Sequence, residues 1–215
     1  VTGVRVKICG LNSEAAFDAA VAAGADWVGF VFFPPSPRFV TPARAAALSA
    51  RMPGGPPQVG LFVDPTEAII AEVLASVPLD VLQVYAAVDP AALRAQFGRA
   101  VWRATGVSTA ADLPGEMAGA DSLLLDAKPP KAATRPGGNA TPFDWGIMRG
   151  WVAPGPWLLA GGLTAANVVE AIRVTGTPAV DVSSGVESAP GVKDPELIRA
   201  FVEKVRGVEA TSRSE

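Results

Sequence analysis

Short apolar runs alternate along this chain with Ala-rich stretches of helical character. The runs open near Arg5, Trp27, Gln58, Val81, Ala100, Ser122, Trp157 and Ala179. Each reads as a strand, and the steps between them, roughly 19 to 35 residues, suit strand–helix units. Helices are predicted over Ser13–Ala23, Thr41–Ala50, Pro65–Ser76, Pro90–Phe97, Ala110–Met117, Asp144–Gly150, Ala165–Thr175 and Pro195–Val205. The Pro114-Gly115 pair interrupts the fifth of these. Asp64-Pro65, Asp89-Pro90 and Asp194-Pro195 each put a capping acceptor before a proline whose missing N–H costs nothing at a first helical position. Asp64 with Glu67 also has the spacing of a capping box. These aspartates therefore read as caps, not as chemistry.

Eight strand–helix pairs predict a single-domain (β/α)8 barrel over residues 1–208, with a polar, fraying tail at 209–215. An open doubly wound sheet is the alternative, but eight parallel strands exceed its usual six. In a barrel, chemistry sits where strands end and helices begin. Three of those loops are rich: Phe33–Arg38, Ala127–Phe143 and Ser183–Lys193.

With 215 residues and 49% hydrophobic positions, the chain can bury one sizeable core. A net charge of −3 gives no basic footprint for nucleic acid or an anionic membrane. Val1–Ile8 alternates and carries charge, unlike a signal peptide, and no run reaches membrane-spanning length. A lone cysteine leaves no internal disulfide. The expectation is a cytoplasmic protein, monomer or homodimer. Histidine is absent altogether. That removes Ser-His-Asp and Cys-His triads, histidine-liganded metal and histidine acid/base catalysis. Proton transfer is left to Cys9, carboxylates, Lys or Tyr.

Strand parity selects among these. In the first strand Val6 and Ile8 suit packing against helices, so Arg5, Lys7 and Cys9 face the barrel axis, with Cys9 highest at the mouth. In the sixth, Leu123 and Leu125 face outward and Asp126 points in. In the eighth, Val180 and Val182 face out, leaving Asp181 and Ser183 inside. A free cysteine is commonly just a small buried hydrophobe; a strand end before Gly10 favours function. Asp126 is no helix cap, because Ala127-Lys128-Pro129-Pro130 cannot start a helix at once. Lys7 and Asp181 read first as a mutually neutralising buried pair. Asp126 is expected to be raised by burial, and Cys9 lowered by a nearby charge such as Lys7.

Phosphate has its own signature. Gly161 and Gly162 end the seventh strand and open a helix; Ser183, Ser184 and Gly185 end the eighth. Backbone N–H groups in such turns approach an anion closely, and the loops after strands seven and eight are where barrels hold phosphate. Arg38, behind three prolines, reads either as a solvated charge or as a rigid clamp for a carboxylate. The five tryptophans read as packing residues.

The motifs KICGL at 7–11, GFVFFPPSPRFV at 29–40, GLFVD at 60–64, LLLDAKPPK at 123–131, PGGNATPFDW at 136–145, LLAGGL at 158–163 and DVSSGVES at 181–188 resemble the phosphoribosylanthranilate isomerase family of tryptophan biosynthesis, nearly end to end. The resemblance implies a barrel without cofactor or metal. It implies an Amadori rearrangement of N-(5-phosphoribosyl)anthranilate, a small-molecule phosphosugar, to 1-(2-carboxyphenylamino)-1-deoxyribulose 5-phosphate. It places the catalytic base on Cys9, the general acid on Asp126 and the carboxylate-binding arginine on Arg38. The chain departs from the family's pattern twice. Where the family usually reads Leu-Gln-Leu-His-Gly, this chain has Leu82-Gln83-Val84-Tyr85-Ala86, and a usual glycine of the sixth loop is Ala140. Three rival readings remain: a Schiff base on Lys128, a sugar-phosphate-binding barrel that has lost catalysis, and a dual-substrate isomerase. The last is expected to carry an aspartate where Cys9 stands.

Overall fold

The computed structural model describes residues 3–85, 88–128 and 142–211. Eight parallel strands close on themselves: β1 (Arg5–Cys9), β2 (Trp27–Val31), β3 (Gln58–Val63), β4 (Val81–Tyr85), β5 (Ala100–Val107), β6 (Ser122–Ala127), β7 (Trp157–Leu159) and β8 (Ala179–Val182). The barrel is sealed by β1 against β8, with Lys7 opposite Asp181 in the register. The expected (β/α)8 plan is thus present, but its outer layer is uneven. Helices α1 (Glu14–Ala22), α2 (Pro42–Ser49), α3 (Glu67–Leu74), α4 (Pro90–Phe97), α5 (Val168–Thr175) and α6 (Pro195–Thr211) cover six of the connections. After β5 and β6 the described residues form only short 3-10 turns, Ala110–Asp112 and Trp145–Met148.

Local chemistry accounts for these differences. The predicted fifth helix makes only its first turn, which Asp112 caps by accepting from the N–H groups of Ser108 and Thr109, because Pro114 follows at once. The predicted sixth shrinks to a turn that Asp144 caps through the Gly146 N–H at 2.8 Å. Asp89 and Asp194 cap as expected, through the N–H groups of Ala91 and Glu196. Asp64 does not: it adopts a left-handed backbone (φ 43°). Thr66 caps α3 instead, accepting from the Ile69 N–H, while Glu67 accepts from Gln96 of α4, so no capping box forms there. α6 runs through Thr211, beyond both its predicted end and the start of the predicted tail.

Strand parity divides the apolar interior into two cores. Inside the barrel, Trp27, Val59, Val81, Trp102, Leu124 and Leu158 fill the axis below the mouth. Trp27 and Trp102 meet edge to face at 5.2 Å, and the Arg5 guanidinium lies 4.4 Å over the Trp27 ring at the amino-terminal end. Outside it, Val6, Ile8, Leu123, Leu125, Val180 and Val182 pack against the helices. Among the described residues no helix is long and apolar enough to cross a membrane. None of them forms a group of three or more His, Cys, Asp or Glu side chains able to hold a metal.

Candidate active site

At the carboxyl ends of the strands one cleft is lined by Asp126, Gly161, Gly162, Asp181, Ser183 and Ser184. Six positions singled out from separate stretches of sequence thus converge. Cys9 stands beside them, 3% exposed, at the top of β1. Gly29 of the neighbouring strand leaves room for it, since a Cβ there would lie 3.2 Å from both the Cys9 sulfur and the Lys7 side chain. Beneath, Lys7 is fully buried and its Nζ donates to Asp181 Oδ1 at 2.9 Å. The two inward-facing charges neutralise each other, as parity predicts.

The electrostatics follow from burial. Burial pushes the Asp126 carboxyl up to about 7. The Tyr85 hydroxyl, which donates to Asp126 Oδ2 at 2.8 Å, opposes that rise. The charge of Asp181 adds to it, and the Ala127 N–H and Lys7 work against it. Burial pulls Lys7 down, but Asp181 and Cys9 outweigh it and hold the ammonium above the ordinary lysine value. The expectation for Cys9 is corrected: burial raises the thiol, and Lys7, Lys193 and its other neighbours do not reverse that. Tyr85 is half-buried; desolvation and the charges of Asp126 and Asp181 hold its phenol far above the ordinary value, so it keeps its proton.

The two glycine turns interlock. Gly161 and Gly162 both have left-handed backbones (φ 87° and 62°), and a Cβ on Gly161 would overlap the Ala127 backbone. A Cβ on Gly185 would run into the Leu163 carbonyl. Glycine at 185 lets the loops after β7 and β8 touch, and glycine at 161 lets the β7 loop lie against the end of β6. The N–H groups of Gly162, Ser184 and Gly185 have no acceptor among the described residues, as a backbone anion site requires.

Arg38 is not solvated, and two of its three guanidinium nitrogens are already engaged. It is 3% exposed, and its Nε and Nη2 each donate to Glu187 at 2.7 Å. The Glu187 carboxylate also accepts from Lys193 Nζ at 2.7 Å. Lys193 in turn donates to the Ser183 carbonyl, and the Ser183 hydroxyl donates to the Cys9 carbonyl. Burial alone would raise Glu187; the two cations overcome it and hold the carboxyl at about 2. Burial lowers Lys193 despite that partner. Arg38 Nη1 has no partner among the described residues. Glu187 lies on β9 (Glu187–Ala189), which pairs with β10 (Val192–Lys193). The hairpin between them packs its Gly191 on Pro37, and its carbonyl accepts from Asn12.

Sequence reading missed Glu187 and Lys193. The eighth loop stood out as rich, but a pair spanning 149 residues leaves no local spacing to find. Lys128 sits exposed on the rim, 3.3 Å from Asp112, outside the cleft. Ala140 and most of the sixth loop lie outside the described residues.

The profile of the family described as N-(5'-phosphoribosyl)anthranilate (PRA) isomerase matches residues 6–204. The N-(5'-phosphoribosyl)anthranilate isomerase of Acidiphilium cryptum is 59% identical over 201 residues, covering 92% of this chain and 96% of its own. The crystal structure of phosphoribosyl anthranilate isomerase from Thermotoga maritima superposes with a TM-score of 0.81 at 36% identity, over 95% of this chain and 99% of that one. A further phosphoribosyl anthranilate isomerase structure was solved in complex with reduced 1-(o-carboxyphenylamino)-1-deoxyribulose 5-phosphate. It gives 0.78 at 34% identity, over 95% and 99% of the two chains.

Proposed function

The chain belongs to the N-(5'-phosphoribosyl)anthranilate isomerase family, and from that premise we propose that Asp126 is the general acid and Cys9 the general base of its reaction. The enzyme catalyses the Amadori rearrangement of N-(5'-phosphoribosyl)anthranilate in tryptophan biosynthesis. Asp126, protonated, gives its proton to the furanose ring oxygen while the amine nitrogen's electron pair opens the ring to an iminium. Cys9 as thiolate removes the C2′ proton, and the resulting enolamine tautomerises to the ketone. Atoms are conserved throughout, and the steps as written call on no cofactor.

The observation that carries this assignment is the Asp126 carboxyl. It is buried in the cleft and held at about 7, so a carboxylic acid survives at neutral pH. Phosphate is assigned to the N–H groups of Gly162, Ser184 and Gly185. The substrate carboxylate is assigned to Arg38 through Nη1, the nitrogen Glu187 leaves open. The productive state needs Cys9 ionised and Asp126 protonated. Because Asp126, at about 7, still gives up its proton before the raised Cys9 thiol, that state is the minor form of the singly protonated site. The iminium's positive charge, developing beside Cys9, favours the thiolate when it is needed.

We further assign the enzyme to the cytoplasm, as a monomer or homodimer. The test is loss of fluorescence from freshly generated phosphoribosylanthranilate. Wild type should consume it, and Cys9→Ala and Asp126→Asn should each lose at least about 10²-fold in turnover, the scale of one acid/base group, while keeping their fold. Near wild-type turnover in either variant removes that residue from the mechanism.

A further inference from the structure

Asp126 has two oxygens with different surroundings. Oδ2 accepts from the Tyr85 hydroxyl at 2.8 Å. Oδ1 lies against Gly161, where even a Cβ would come within 3.0 Å of it, at the wall of the cleft. An acid must carry its proton on the oxygen that faces the acceptor, and a carboxyl free to rotate shares the proton between both. Tyr85 keeps its own proton, so towards ionised Asp126 it acts as a donor.

We propose that Tyr85 is a positioning residue that occupies Oδ2 and so assigns the catalytic proton of Asp126 to Oδ1, facing the cleft. The inference rests on the general-acid role given above to Asp126. The other strands leave room for this division of labour. β5 brings only Gly106 opposite Asp126, and β7 is followed directly by Ala160 and Gly161. The charged or titratable groups that face the carboxyl are Asp181 of β8 and Lys7 of β1, themselves paired, together with Tyr85 of β4. Cys9 completes the group around Tyr85. Tyr85 is therefore the neutral donor set against an acid whose proton burial holds well above the ordinary carboxylate range. Removing its hydroxyl takes a hydrogen bond from the charged form of Asp126, which must then titrate at higher pH.

The experiment compares wild type, Tyr85→Phe, Asp126→Asn and the double variant. The Asp126 carboxyl is followed by carbon-13 NMR titration of the free enzymes. In Tyr85→Phe its midpoint should move upward from about 7. Turnover of phosphoribosylanthranilate is measured at pH 6, where Asp126 is protonated with or without the phenol, so that differences in occupancy drop out. There Tyr85→Phe should lose about 10-fold, the cost of an ill-directed proton. In the Asp126→Asn background the same change should cost nothing more. Tyr85→Leu, which also lacks a donor, must repeat the result if the phenyl ring does not pack.

An unmoved midpoint, or an equal loss in the Asp126→Asn background, would overturn the proposal. A midpoint that moves down would also do so, since Tyr85 would then be accepting the proton of Asp126. If the Asp126→Asn variant turns over at the wild-type rate, the general-acid reading fails instead, and the titration still reports on the Tyr85–Asp126 bond.

Discussion

Replacing Glu187 by glutamine keeps its volume and removes the one charge that Arg38 and Lys193 share. The side chains of Arg38 and Lys193 are 4% and 0% exposed, so neither has water to turn to. Two routes give the size of the loss. A carboxyl held at about 2 instead of 4.5 contributes about 3 kcal/mol at neutral pH, at roughly 1.4 kcal/mol per unit. Removing one partner of a buried pair typically costs about 3–5 kcal/mol. In a chain of this size each kcal/mol lowers Tm by roughly 2–4 °C, so Glu187→Gln should unfold on the order of 10 °C early. The sign with pH follows from the depressed value. This stabilisation is complete above the ordinary glutamate range and is lost as pH falls through about 2. The gap between wild type and variant, followed by circular dichroism, should therefore close on acidification. A midpoint within about 2 °C of wild type at neutral pH, or a gap that widens in acid, would refute the reasoning.

The pH profile of kcat/KM should be bell-shaped with an alkaline optimum. It should rise through about 7 as Asp126 loses its proton from the doubly protonated site, and fall only once Cys9 ionises above the ordinary thiol range; an optimum below pH 6 would contradict the assignment. Gly185→Ala, whose Cβ would strike the Leu163 carbonyl, should weaken binding of inorganic phosphate by at least about 10-fold, or about 1.4 kcal/mol. Calorimetry showing unchanged affinity would place the phosphate elsewhere. Arg38→Lys should weaken substrate binding by roughly 1.5–3 kcal/mol, the worth of a charge-assisted hydrogen bond, and slow chemistry less. Because the same change breaks the pair with Glu187, a phosphosugar lacking the carboxylate serves as control, and equal losses for both ligands would end the carboxylate assignment.

Much of this protein is legible in one dimension. A period of two along a strand decides that Lys7, Cys9, Asp126, Asp181 and Ser183 share the barrel interior while their neighbours face the helices, because successive side chains must point to opposite faces. Glycine at 161 and 185 announces turns that a Cβ would block, and at 162 a left-handed turn, since the constraint lies in the residue itself. Caps at Asp89 and Asp194 are equally local, for they need only the next two or three N–H groups.

What only the folded chain decides is set by distance in space. Asp64 loses its cap because the turn after β3 needs a left-handed residue there. The thiol of Cys9 rises although Lys7 lies two residues away, because desolvation depends on everything packed around the sulfur. Arg38 reads from its prolines as either a solvated charge or a rigid carboxylate clamp, yet Glu187, folded over it from the last loop, takes two of its nitrogens. Tyr85 meets Asp126 from a strand two places round the barrel. Residue type and spacing carry the period of an element and the geometry of a turn. Burial and ion pairing between remote segments depend on how the barrel closes, and no local pattern encodes them.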